Sequence, residues 1–465
     1  MNLKKEFKNA WESLSEHEVK EVMDYSNEYK KFLDYGKTER ECVKYIIDEA
    51  KKYGYISLEE AIKNNKIESG AKIYANNKDK SVALFLVGNK ELQEGMRVVG
   101  GHIDSPRIDL KPVPVYEDSD QALLKTHYYG GIKKYQWTAL PLSMHGVLYK
   151  KNGEKVEICI GEKDEDPIFY ISDLLIHLSK DQMAKKLSEG ITGEGLNLLI
   201  GNMPIKGEEY KDEKEKVKLN VLKILNEMYG IEEEDFVSAE IEIVPASKAR
   251  DVGFDRSMIS AYGHDDRVCS FAGLKAILEN ESSEYTQVGL FMDKEEVGSM
   301  GNTGMQSRFF ENCVAELINL EGDYNDLKLR RSLANSKVLS ADVTAIMDPN
   351  YPDVVDKRNC AYLSKGIVLT KYTGARGKGG CNDANAEFVS HVKNVFNENN
   401  IVWQTGELGK VDQGGGGTIA YILANYGAEV IDCGVGVMSM HAPLELVSKV
   451  DCFMAYRGYK AFLNN

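Results

Sequence analysis

From residue 247 onward the chain alternates strand-length apolar runs with helical stretches, and this alternation restricts it more than any other feature. Helices are predicted at 266–280, 383–398 and 418–425, strands at 286–292, 337–343 and 428–434, and a closing helix from about 443. Such continuously apolar strands leave no face for solvent, so helices must cover them on both sides. The expectation is an α/β fold with a doubly wound, mixed sheet. Upstream, 5–33 and 38–53 carry helical spacing, with Thr38 and Glu41 as a capping box. The runs SVALFLV (81–87) and MRVVGGHID (96–104) read as strands.

Between 110 and 246 the texture changes to proline-punctuated, strand-like pieces, and the charged stretch 208–218 leads into an amphipathic helix. This segment is predicted to be a β-rich insertion. The flanking segments, 1–109 and 247–465, then form one domain in two parts.

A length of 465 residues with 43% hydrophobic content supports a large core. The net charge of −15 argues against a broad basic surface for nucleic acid or an anionic membrane. The N-terminus is charged and lacks the apolar core of a secretory signal, and no apolar run reaches the ~18 residues of a membrane span. Eight scattered cysteines without a C-x-x-C pair read as reduced thiols, which points to the cytoplasm.

The residues that carry chemistry stand at predicted strand ends and helix starts. In His102-Ile103-Asp104, a strand period of two places both side chains on one face, so Asp104 can orient a metal-bound His102. Asp265 and Asp266 open the 266–280 helix, where carboxylates are ordinary caps but where a carboxylate bridging two cations would also be rigidly placed. Glu295 and Glu296 follow the strand VGLFM, at the carboxyl end where such folds place their sites. Of two adjacent glutamates, one can bind metal while the other takes a proton from metal-bound water. Asp342 and His441, read singly, are structural residues. Together, two histidines and three carboxylates make a mixed nitrogen and oxygen donor set suited to zinc, manganese or cobalt.

Other features have plainer readings. Gly414–Gly417 lacks the G-K-[ST] of a phosphate loop and reads as close loop packing. His127, His145, His264 and His391 show no partner pattern and are taken as structural, and neither Ser105 nor any cysteine stands in a nucleophile context.

The motifs GGHIDSPRIDLKP (100–112), GHDDR (263–267), DKEEVGS (293–299), SADVTAIMDPNY (340–351), GGCNDANAEF (379–388), GKVDQGGGGTIAYILA (409–424) and SMHAPLELVSKVD (439–451) occur in this order. In them the chain resembles the aspartyl aminopeptidase and vacuolar aminopeptidase I family of dinuclear zinc metallopeptidases. The resemblance implies His102, Asp265, Asp342, Glu296 and His441 as ligands of two divalent ions, with Asp265 bridging, and Glu295 as general base. It also implies peptide substrates with a free N-terminus, an inserted dimerisation domain, and a homododecamer built from dimers. In relatives a histidine from a neighbouring subunit's insertion completes the site. His177 lies in the similar stretch DLLIHL, although Asp173 stands where relatives often carry histidine. Many aspartyl aminopeptidases read L-D-N where this chain reads His264-Asp265-Asp266.

Acidic specificity in that family needs a basic residue at the first substrate pocket, for which Arg376 and Lys378 are candidates; a solvated loop is the plain reading of both. Three rivals stand beside this reading: a two-metal amidohydrolase of N-acyl amino acids, a self-assembling shell or cargo protein with a structural metal site, and nucleotide binding through the glycine run, which has little else behind it.

Overall fold

The computed structural model describes residues 6–322 and 324–465. The chain divides into two compact units. One comprises the chain up to Ser105, Ala249–Met440 and Glu445–Asn465; the other comprises Pro106–Lys248 and His441–Leu444.

The first unit is organised by a nine-stranded mixed sheet. At its centre four parallel strands lie in the order Thr286–Met292, Met96–His102, Lys337–Ser340 and Glu429–Gly434. Ser81–Leu86 joins one side of this group antiparallel, and Ile367–Thr370 joins the other. Successive residues of the central strands enter two different cores. Val98, Val338 and Val430 pack with Phe310, Val314 and Leu317 of the helix Phe309–Glu321. Val99, Leu339 and Ile431 share a core with the helices Glu16–Tyr35, Glu39–Lys52, His264–Leu278 and Lys449–Leu463. Each such side chain contributes about 1.5–3 kcal/mol by leaving water, so covering both faces is what stabilises the sheet. The doubly wound α/β expectation is met.

Several boundaries differ from expectation for local reasons. The first helix begins at Glu16, where Ser15 and Glu18 form a capping box; Ala10–Ser13 is a separate 3-10 turn, and residue 5 lies outside the described residues. The second helix begins at the expected Thr38–Glu41 box. The predicted closing helix from about 443 starts only at Lys449, because Glu445–Ser448 is a strand paired with Met258–Ala261. In that strand Glu445, Val447 and Ser448 are buried, so sheet pairing overrides the helical spacing.

The second unit is built on a six-stranded antiparallel sheet that includes Arg107–Asp118, Gln121–Tyr129, Leu142–Tyr149 and Glu240–Pro245. The amphipathic helix expected after the charged stretch is Lys216–Tyr229. An apolar cavity of about 900 Å³ is lined by side chains of this sheet and helix, among them Leu124, Met144, Ile158, Val221 and Leu225. Leu174, Leu175, Ile176 and Leu178 are exposed in the segment that carries His177.

Candidate metal centre

Three of the four central parallel strands end directly on residues that the motifs single out. Met96–His102 delivers His102 and then Asp104; Thr286–Met292 runs into Glu295 and Glu296; Lys337–Ser340 runs into Asp342. The carboxyl end of a parallel sheet is where such folds gather their functional groups. Close approach at this end needs Gly101: a Cβ there would lie 2.5 Å from Asp266 Oδ2 and 2.6 Å from the Ala341 carbonyl.

His102 is buried, and its two ring nitrogens face different partners. Nδ1 lies 3.0 Å from the Asp104 carbonyl and 3.2 Å from Asp104 Oδ1. Both are acceptors, so Nδ1 carries a proton and donates. That leaves Nε2 towards Asp265 Oδ1 at 3.2 Å and Glu295 Oε2 at 3.8 Å. Asp104 also anchors the next turn: Oδ1 accepts from the Glu295 N–H at 3.2 Å and Oδ2 from the Glu296 N–H at 3.3 Å. One buried carboxylate therefore orients the imidazole and both glutamates. The left-handed Lys294 (φ 68°) makes the bend that aims them, and Asp293 below it is tied to Thr303 Oγ1 at 2.6 Å.

Asp265 is held through its backbone. Its N–H donates to Glu445 Oε2 at 2.9 Å and its carbonyl accepts from Ser105 Oγ at 2.8 Å. Asp265 and Asp266 have left helical geometry (ψ 107° and 26°), and no side chain caps this helix. The capping account of the two residues therefore does not hold. Asp266 instead accepts from the His102 N–H through Oδ2 at 3.3 Å, beneath the strand end.

At these strand ends, two groups of donor atoms each fall within 4.8 Å of one another: His102, Asp265 and Glu296, and His102, Asp266 and Asp342. The electrostatics of these groups suit a cation. Burial pushes the Asp342 carboxyl well above the usual range, and Asp266, Glu295 and Asp265 push it further. Burial works against a His102 imidazolium, yet Asp104, Asp265 and Glu295 hold its pKa well above the ordinary value. A divalent ion relieves the mutual repulsion of these carboxylates, and one imidazole nitrogen with several carboxylate oxygens fits zinc, cobalt or manganese.

His441 belongs to neither group. It lies in the second unit, with Nδ1 2.8 Å from the Gly131 carbonyl. His177 is exposed in the 3-10 turn Ile176–Leu178 of the same unit. Of the basic candidates, Lys378 pairs with Asp383 at 2.8 Å and lies over the Tyr372 ring at 3.8 Å, while Arg376 is exposed. The glycine run packs as loop backbone. A Cβ on Gly414 would lie 1.7 Å from the Leu408 carbonyl, and the Gly414 and Gly416 N–H groups donate to the Lys410 and Thr373 carbonyls.

Sequence reasoning missed Glu445, Asp293 and the link of His264 to Tyr29. The available signal for Glu445 was its place four residues after His441 in MHAPLE. His391, by contrast, meets Lys337 at 3.3 Å and stacks on the Phe388 ring at 6.1 Å.

A doubly wound α/β unit with buried carboxylates and an imidazole gathered at its strand ends belongs to the class of metal-dependent hydrolases. The family model described as aminopeptidase I zinc metalloprotease (M18) matches residues 32–463. A probable M18 family aminopeptidase 1 of Clostridium acetobutylicum is 56% identical over 465 residues, covering 100% of this chain and 99% of the relative. The crystal structure of an M18 family aminopeptidase from Thermotoga maritima superposes with a TM-score of 0.94 at 47% identity, over 99% of this chain and 100% of that one. The S. cerevisiae mApe1 dodecamer shares the fold, with a TM-score of 0.76 at 22% identity, over 95% of this chain and 97% of that one. The chain belongs to the M18 family of zinc-dependent aminopeptidases. Among the described residues no helix is long and apolar enough to cross a membrane.

Proposed function

We propose that the chain removes single residues from peptides with a free N-terminus, and that His102, Asp265, Glu296, Asp342 and His441 would hold two divalent ions. Zinc is the natural ion for this family and donor set, and cobalt or manganese suits the same atoms. When bound, such ions acidify a water and polarise the scissile carbonyl. Glu295 takes the proton of the attacking water and returns it to the leaving amine. Glu296, fixed on the same turn, is the ligand of the pair. Asp104 keeps His102 in the Nδ1–H form, so that Nε2 presents its lone pair. The observation that carries this reading is the Asp104 carboxylate, which holds His102 and the backbone of both glutamates at once.

The insertion acts as a dimerisation domain, dimers assemble into a homododecamer, and His177 completes the site of a neighbouring copy. What supports assembly is the dodecameric yeast relative and the exposed apolar stretch beside His177. The enzyme works in the cytoplasm. The ion pair of Lys378 with Asp383 leaves Arg376 as the uncommitted cation for an acidic N-terminal side chain. A panel of aspartyl, glutamyl, leucyl and N-acetylated substrates on zinc-loaded protein tests the reading. Turnover of free N-termini and none of blocked ones is expected. Cleavage of the N-acetylated substrates alone selects the amidohydrolase, and no cleavage selects the shell protein. Equal rates on leucyl and aspartyl substrates remove acidic specificity.

A further inference from the structure

Tyr29 belongs to none of the motifs, yet the helix Glu16–Tyr35 carries it to the residue before Asp265. Its hydroxyl lies 2.7 Å from His264 Nδ1, and His264 Nε2 lies 3.1 Å from the Ile259 carbonyl. A carbonyl only accepts, so Nε2 carries the ring proton, Nδ1 accepts, and the Tyr29 hydroxyl donates. Both residues are 0% exposed. The ring is thus fixed at both nitrogens in a place water does not reach.

This fixation matters because of where the backbone goes next. Gly263 is left-handed (φ 76°) and Asp265 is extended (ψ 107°), so no helical ladder sets the direction of the Asp265 side chain. Three side chains set it instead. Glu445 takes the Asp265 N–H, Ser105 donates to its carbonyl, and Tyr29 locks the imidazole of the preceding residue. We propose that Tyr29, acting through His264, is a positioning residue for the Asp265 carboxylate, so that a hydroxyl on the first long helix tunes the affinity of the metal centre. The inference rests on the reading in which Asp265 is a metal ligand. Without the hydroxyl, a buried Nδ1 loses its donor, and the ring and the 263–265 backbone relax together.

The test is a zinc titration of the metal-stripped full chain against a chelating dye, combined with kcat and KM at saturating zinc. Tyr29→Phe is expected to weaken zinc binding about ten- to hundredfold, the usual effect of losing a group that orients a ligand, and to lower kcat with KM within twofold. Tyr25→Phe is the control. One turn earlier, its hydroxyl is buried with no hydrogen-bond partner among the described residues, and both rings pack on Phe271 at 5.4 Å. It is expected to leave zinc binding unchanged. His264→Gln keeps a donor for Ile259 and loses the acceptor for Tyr29; it should repeat the Tyr29→Phe result, and it decides the matter if Tyr29→Phe does not fold. Zinc affinity and kcat within twofold of wild type in either folded variant overturn the proposal, as does an equal loss in Tyr25→Phe. A wild-type chain that binds no zinc overturns the two-metal reading itself, an outcome visible before any variant is made.

Discussion

Replacing Asp104 with asparagine removes one charge and almost no volume, which makes it the sharpest probe of how the centre is held. In the wild type Oδ1 accepts from His102 Nδ1 and from the Glu295 N–H, and Oδ2 accepts from the Glu296 N–H. An asparagine oxygen can replace only one of these two acceptors. If it takes the Oδ1 position, its NH₂ group confronts the Glu296 N–H, donor against donor, in a buried place. Losing one hydrogen bond to a charged acceptor costs about 1.5–3 kcal/mol. The neutral amide also withdraws the negative charge that makes His102 a better ligand. A loss near 2 kcal/mol corresponds to about a 30-fold weaker zinc affinity, since ~1.4 kcal/mol is tenfold. The assay is competition with a chelator of known affinity, with zinc content checked on the folded protein. Asp104→Asn binding zinc within twofold of wild type would refute the hub role of Asp104.

Further outcomes separate the roles of the neighbouring groups. Glu295→Gln is expected to keep zinc affinity within about threefold while kcat falls about 10²–10⁴-fold, the range for loss of a general base; normal turnover at saturating zinc removes the assignment. His441→Ala is expected to leave the folded protein with less zinc per chain by elemental analysis, and a full complement would take His441 out of the ligand set. Asp432 is buried, and burial raises its pKa to about 6 against the hydrogen bond donated by Thr418 Oγ1 at 2.7 Å. Its folded pKa exceeds the unfolded value, so its stabilising contribution is complete below about pH 4 and is lost as pH rises through about 6, on the order of 3 kcal/mol. Chemical denaturation of Asp432→Asn between pH 4 and 7 should therefore show a flatter stability profile than wild type. An unchanged slope contradicts the raised pKa.

The candidate site was legible because each of its groups stands at a boundary that local pattern reveals. The apolar run MRVVGG ends at His102, and VGLFM ends shortly before Glu295, so strand ends and chemistry coincide along the chain. Capping residues were equally legible, as Ser15 and Thr38 show. The supporting contacts were not. Glu445 meets Asp265 across 180 residues, and Tyr29 meets His264 across 235. No periodicity encodes such pairs, because a buried polar group takes whichever partner the folded core brings to it. Glu445–Ser448 looked helical for the same reason: four residues hold too little local preference to resist pairing with Met258–Ala261.

By itself, then, the sequence determined the doubly wound α/β class and the order of the motifs that place the chain in the M18 family. Those follow from apolar spacing and from residue identity, which are local. The tertiary structure decided the neighbour order of the four parallel strands, the use of Asp266 beneath the strand end rather than as a cap, and the contacts of Asp104 with His102 and the glutamate turn, of Glu445 with Asp265 and of Tyr29 with His264. The physical reason is that strand pairing and the satisfaction of buried polar groups depend on partners distant along the chain, whose choice is made only when both faces of the sheet are covered at once.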